Sequence, residues 1–261
     1  MRAAAQSPVA AHLRVVGALL RREMSTRYGR SAGGYAWAVA EPVGMVAMLA
    51  LVFSAIAHHP PLGGSFITFF ATGYIGFAFF RSTADSTAQA ILANKPLLRF
   101  PNVNPYDAIL ARVILQALTN IAVAFIVLGG AFLLTEEPVR IDQPRIAAAF
   151  GAATLLAAGV GSCNAVLFVV APIWQRVFGI LTRPLFLISG VIFLPEDMPW
   201  SVQQALAWNP LIHVIAALRQ GIYPVYLAQN AALVFPATLG LGLLLVGLLL
   251  LRRMRREVAS P

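Results

Sequence analysis

The alternation of apolar and polar positions divides the chain into long hydrophobic runs separated by short polar breaks. A helix of about 20 apolar residues matches the hydrocarbon thickness of a bilayer. Six such spans are expected, near 35–57, 66–90, 108–134, 146–170, 177–194 and 231–251. The fifth is short and contains Pro184, and the second turns polar after Phe80. Arg81 and Asp85 lie four apart there, a spacing that pairs side chains on one helix face. The fourth span carries Ala149, Ala153, Ala157, Gly161 and Ala165, each four apart. Chance competes in so alanine-rich a chain. Tight packing is nevertheless the preferred reading, because small faces commonly let membrane helices approach closely.

Two segments depart from the spanning pattern. In residues 9–24, at 100° per residue, Val9, Leu13, Val16, Leu20 and Met24 share one face. Arg14, Arg21 and Arg22 lie opposite, as expected of a basic amphipathic helix at a membrane interface. It belongs to an interface segment, 1–34, ahead of a single transmembrane domain, 35–261. Residues 195–230 read as two short helices. Asp197 can cap the first, with Pro199 in its first turn and Trp208 near its end. Asn209 can cap the second, with Pro210 at the first helical position and Gly221 at the end. At about 15 Å each, neither crosses a bilayer. A re-entrant hairpin against the other spans is expected, with an amphipathic cap in solvent as the alternative.

Composition turns this pattern into a class. The 261 residues are 59% hydrophobic and 11% charged, with a mean hydropathy of +0.77. Soluble domains carry roughly a quarter charged residues, so an all-α polytopic membrane protein is expected. The net charge is +9, and 18 of the 19 basic residues are arginine. They cluster before the first span and after the last, whereas loop 58–65 has none, which places both termini in the cytoplasm. Basic residues so placed meet lipid rather than nucleic acid.

The remaining chemistry is sparse. Cys163 is the single cysteine and sits in an apolar run, where a small packing role is expected. His213 stands alone, which favours a structural hydrogen bond over a metal. Asp85 and Asp107 are isolated, whereas a membrane enzyme acting on lipid-linked sugar needs convergent carboxylates. A proton-coupled carrier is also unsupported, because Arg183 and Arg112 cannot release a proton in the useful range.

Four stretches carry a family resemblance in their joint order: "RYGRSAGGYAWAVAEP" (27–42), "NKPLLRFPNVNP" (94–105), "SGVIFLPEDMP" (189–199) and "WNPLIHVIAALRQGIYP" (208–224). With the basic N-terminal helix they resemble the ABC-2 type permeases over nearly the whole chain. The branch resembled is polysaccharide export, nearest to the capsule (KpsM-like) permeases and close to the O-antigen (Wzm-like) permeases. The resemblance implies a half-transporter in the bacterial inner membrane. Two copies form the pathway, and two separate ATP-binding cassette subunits bind ATP and Mg and hydrolyse the ATP. It implies a lipid-linked, usually acidic polysaccharide as cargo, and makes room for a periplasmic or outer-membrane export partner. Permeases for O-antigen, teichoic acid, lipo-oligosaccharide or a drug are the alternatives. The residues agree on one point: a phosphate-binding G-x-x-x-x-G-K-[ST] loop needs a Gly-Lys pair, and the only lysine, Lys95, follows Asn94.

The resemblance also assigns candidate roles. The segment with Lys95, Pro96, Leu97, Leu98, Arg99 and Phe100 corresponds to the coupling element that sits in a groove of the ATPase, with Pro96 and Pro101 limiting it to a short turn. A second ATPase contact is expected on the interface helix, through Leu13, Arg14, Leu20, Arg21 and Arg22. A hydrated path would be lined by Tyr35, Trp37, Glu41, Arg81, Trp174, Arg176, Phe178 and Arg183, since intramembrane charges normally face a cavity or a partner. For Arg112, Trp37 and Trp174, interfacial anchoring remains an equal reading. Trp208, Asn209, Pro210 and His213 would form a gate in the re-entrant pair. Pro42 predicts a distorted turn in the first span, and Glu41 is expected to face a groove or to pair with Arg183 or Arg176.

Overall fold

The structure, a computed structural model, describes residues 8–27, 34–99, 103–135, 141–228 and 231–253. Ten α-helices cover most of them, and no strand occurs among the described residues. They are α1 (Pro8–Arg27), α2 (Gly34–Ile56), α3 (Phe66–Ala88), α4 (Ala90–Asn94), α5 (Pro105–Leu133), α6 (Gln143–Val170), α7 (Ile173–Ile188), α8 (Trp200–Leu206), α9 (Pro210–Gln220) and α10 (Val234–Arg253). Four are long and apolar enough to cross a membrane: α2 over Ala36–Ile56, α5, α6 and α10.

α3 is the centre of the bundle, and its threonines show how a more polar helix fills that place. Thr68, Thr72, Thr83 and Thr87 are fully buried beside Phe69 and Phe70. The Thr72 and Thr87 hydroxyls donate to the Phe69 and Thr83 carbonyls one turn back, which satisfies them inside their own helix. α6 presses its small-residue stripe against α3 and, at Ala165, against α4: Ala149, Ala153, Ala157 and Ala165 are wholly buried. At Gly161 a β-carbon would lie 2.5 Å from Cβ of Thr87, so only glycine admits this approach. The other side of α6 meets α10 equally closely. A β-carbon on Gly240 would lie 2.5 Å from the Leu156 nitrogen, and one on Gly247 would lie 2.8 Å from the Cys163 nitrogen. Cys163 packs in this seam, its thiol 3.1 Å from the Leu243 carbonyl, as the sequence suggested.

The bundle has two distinct ends. At one, α4, the start of α5 and the ends of α6 and α10 converge on Ile91, Leu98, Ile109, Val166 and Leu251, and α1 joins through Val16 and Leu19 against Ala108 and Ala111. At the other, Thr68 at the start of α3 bonds Thr135 just beyond α5, and the Gly221 carbonyl accepts from the Asp142 nitrogen at the head of α6. α9 is inserted from this second end. Leu211 through Arg219 are all buried, with Ile215 against Gly76 of α3 and Val214 packed with Ala153 of α6.

Several expectations need correction. The second run ends at Ala88, because Gln89 leaves helical geometry (φ −86°, ψ 1°) before α4 begins. The fifth helix is Ile173–Ile188 rather than 177–194. It stops at Ser189 because Gly190 takes φ +75°, a left-handed conformation that favours glycine. On α1 the buried stripe is Val16, Leu19 and Glu23, whereas Met24 is exposed. α5 crosses this helix at Ala108 and Ala111 and selects a stripe rotated from the one expected. Asp197 does not cap α8. It closes a 3₁₀ turn, Pro195–Asp197, and Pro199 occupies the cap position without a side-chain bond. α2 is helical throughout, with Pro42 buried inside it.

Candidate functional site

Three of the expected path residues come together. α2, α3 and α7 enclose an open cleft of about 430 Å³ lined by Glu41, Arg81, Asp85 and Arg183. Glu41 is on the second turn of α2, and Arg81 is in the last third of α3. Arg183 lies ten residues into α7, about 15 Å from its start. The wall between these charges is aromatic: Tyr74, Phe77 and Phe186, with Phe186 edge-on to Phe77 at 5.2 Å.

The charges are not equally engaged. Arg81 Nε donates to Asp85 Oδ2 at 2.6 Å, the i,i+4 pair that the spacing implied. Glu41 makes no ion pair with Arg176 or Arg183 among the described residues, although it shares the cleft with Arg183. Glu41 and Arg183 are both solvent-exposed. The cleft thus offers a guanidinium able to bind an oxyanion through two parallel bonds. It also offers a carboxylate able to accept hydroxyl hydrogens, and aromatic faces between the two.

The other expected path residues lie elsewhere. Trp37 is exposed, as is Arg176. Trp174 turns back onto α6, its indole N–H donating to Asn164 Oδ1 at 2.8 Å. Phe178 packs edge-on against Phe168. In the coupling segment, Leu98 is buried within the chain's own core, and Leu97 packs against Val16 and Leu19. Leu98 is therefore not available to fill a partner's groove; the surface of this segment is made by Leu92, Ala93 and Pro96, beside half-buried Lys95. On α1, Arg14, Arg21 and Arg22 are exposed, and Leu20 is half-buried. The side chains of Leu13, Tyr35 and Arg99, and the whole of Phe100, Pro101 and the glycine-rich bend at 29–33, lie outside the described residues.

Two buried arginine sites escaped the sequence reading in part or whole. At the α1 end, Arg112 of α5 grips Glu23 of α1, its Nη2 3.0 and 3.1 Å from the two carboxylate oxygens and its Nε 3.1 Å from Oε1. Arg112 also donates to the Ser86 carbonyl of α3 at 3.0 Å. Asn94 of α4 donates to Glu23 at 3.1 Å and accepts from Arg22 at 2.8 Å. This pairing makes Arg112 neither an anchor at the interface nor part of the cleft. A signal existed: Glu23 is the only carboxylate in the first 40 residues and falls on the Val16–Leu19 face.

At the opposite end, Arg219 of α9 is 1% exposed and donates to the carbonyls of Gly190, Val191 and Phe193 at 2.7, 3.0 and 3.3 Å. Its guanidinium stacks 4.1 Å from the Phe69 ring centroid, where Gly73 leaves room. Burial lowers its pKa to about 10, which leaves it charged at neutral pH. Nearby, the Tyr226 hydroxyl donates to Glu196 Oε2 at 3.0 Å. Burial and that carboxylate's charge push the phenol's pKa up, so it remains a donor. Asn209 accepts from the Leu211 nitrogen at 3.0 Å and caps α9 as expected, with Pro210 in the first turn. It also reaches back to Ser189 and the Ile188 carbonyl at the end of α7. His213 hydrogen-bonds the Ala207 carbonyl at 2.8 Å, and Trp208 is exposed between the short helices.

Residues 14–223 match the family model described as ABC-2 type transporter. The chain is 32% identical over 237 residues to the polysialic acid transport protein KpsM of Escherichia coli, covering 91% of this chain and 92% of that one. It is 27% identical over 249 residues to the capsule polysaccharide export inner-membrane protein BexB of Haemophilus influenzae, covering 94% and 92%. It is also 27% identical over 248 residues to the similarly named CtrC of Neisseria meningitidis, with 94% and 92% covered. A match across most of its length, on an all-helical bundle with four apolar spans, places this chain in the ABC-2 type transporter family.

Proposed function

We propose that this chain is the membrane-spanning subunit of an ATP-driven exporter that carries a lipid-linked, acidic capsule polysaccharide across the bacterial inner membrane. The observation that carries the reading is likeness over more than nine-tenths of the chain to proteins named for capsule polysaccharide export. The cleft adds a chemical reason. Arg183 suits a phosphate or sugar carboxylate, Glu41 suits sugar hydroxyls, and Tyr74 and Phe186 suit the apolar faces of sugar rings.

In this reading α3 and α7 join the four apolar helices to make six spans, and α8 and α9 form the re-entrant pair between the last two. Both termini lie in the cytoplasm, on the side where arginines gather. Two copies assemble with two ATP-binding cassette subunits, which bind ATP and Mg. The surface around Leu92, Pro96 and Lys95, with α1 beside it, meets those subunits. A periplasmic or outer-membrane partner receives the polymer.

Deletion of the chain should abolish one surface glycan, and the glycan lost identifies the cargo. Loss of O-antigen with intact capsule would overturn the capsule assignment. Arg183→Ala should reduce surface polymer at least tenfold while the complex with the ATPase purifies normally. Unchanged surface polymer would remove Arg183 from the path.

A further inference from the structure

The break at Gln89 raises a mechanical question. α4 presents the exposed surface of its segment through Leu92 and Ala93, yet Gln89 separates it from the long helix α3. A push on α4 reaches α5 and α6 through the packing of Ile91, but reaches α3 by way of Gln89 unless a second connection bypasses that residue.

The buried polar cluster supplies one. Asn94, at the end of α4, is 1% exposed and is fixed on both sides of its amide, by Glu23 and by Arg22. Glu23 is 6% exposed and passes the connection to Arg112 through three bonds of 3.0–3.1 Å. Arg112 also donates through Nη1 to the Ser86 carbonyl, three residues before the break. The chain Asn94–Glu23–Arg112 thus leaves α4, crosses α1, enters α5 and returns to α3 on the far side of Gln89. Bidentate guanidinium–carboxylate geometry resists rotation as well as separation. Coupling between distant sites travels through such contiguous packed and hydrogen-bonded networks.

We infer that Glu23 and Arg112 are positioning residues that transmit movement of α4 to α3 and α5 past the break at Gln89. This inference rests on the proposed partnership with an ATP-binding cassette subunit. The pair sets how much transport each hydrolysed ATP yields, and does not set whether the subunits bind. Because this polar connection enters α4 through the Asn94 amide, Asn94→Ala severs it and leaves the Glu23–Arg112 pair and the apolar packing of Ile91 in place.

The experiment uses the full chain expressed with its cognate ATPase, comparing wild type, Asn94→Ala and Arg112→Lys. Three quantities are read: recovery of the complex, ATP hydrolysis in purified membranes and polymer reaching the cell surface. Both variants should assemble and hydrolyse ATP within about twofold of wild type, while polymer delivered per ATP falls about tenfold. Wild-type yield per ATP in both variants would overturn the inference. Loss of the complex would also overturn it, since the cluster would then hold the fold rather than transmit motion. Absence of any ATPase with the wild-type chain is a different result and would refute the proposed function itself.

Discussion

Arg112 and Arg219 are both buried guanidiniums, one at each end of the bundle, yet their charges are answered differently. Arg112 meets a carboxylate brought by another helix. Among the described residues, Arg219 donates to main-chain carbonyls and lies over an aromatic ring, with the Glu196 carboxylate acting on it from a distance. A carboxylate partner can be deleted or replaced together with its arginine. Carbonyls cannot, because they belong to the turn at 190–193 itself. The first site is therefore an exchangeable link between elements, and the second is part of what makes the turn exist.

The sharpest way to break this comparison is Arg219→Met. It leaves three carbonyls without their donor, two of them in buried bonds, at about 1–3 kcal/mol each, and the helical protein should lose roughly 3–5 kcal/mol of stability. Thermal unfolding in detergent would read this as a drop in Tm, and a wild-type Tm would dissolve the distinction between the two ends. Next in size is Glu23→Ala, which strands Arg112 in a buried site and should cost about 3 kcal/mol. Here a second substitution should help: combining Glu23→Met with Arg112→Met should recover most of the loss, since well-packed apolar groups commonly replace a buried pair without penalty. A double variant no more stable than the single would show that the pair's partners are as fixed as those of Arg219. The smallest effect belongs to Asp85→Ala, which removes the partly exposed pair with Arg81 and should change stability by less than about 1 kcal/mol.

The same contrast explains what could be read before the structure. Arg81–Asp85 was legible because both partners lie on one helix, and the Asn209–Pro210 cap was legible because capping is local. The stripe from Ala149 to Ala165 announced close packing, although its partners, α3 on one side and the glycines of α10 near the other, were not implied. Glu23 and Arg112 are 89 residues apart, and nothing in either neighbourhood names the other. Arg219 was harder still, since its acceptors are main-chain groups with no residue type to search for. Asp197 misled because a good cap residue was consumed by an earlier turn. Of the expected path, Glu41, Arg81 and Arg183 share a cleft, whereas Trp174 and Phe178 have local partners on α6 that spacing alone does not reveal.

The shortness of α7 sets a dimension. Its 16 residues rise about 24 Å, against roughly 30 Å of hydrocarbon in a typical bilayer. Its outward residues Ile180, Leu181, Leu187 and Ile188 are exposed to whatever surrounds them. If α7 spans as proposed, lipid beside it must pinch inward or leave the helix end uncovered, and mismatch of this kind costs fractions of a kcal/mol per ångström. On the proposed six-span reading, the membrane is thinner beside the helix that carries Arg183 than beside the four long apolar helices.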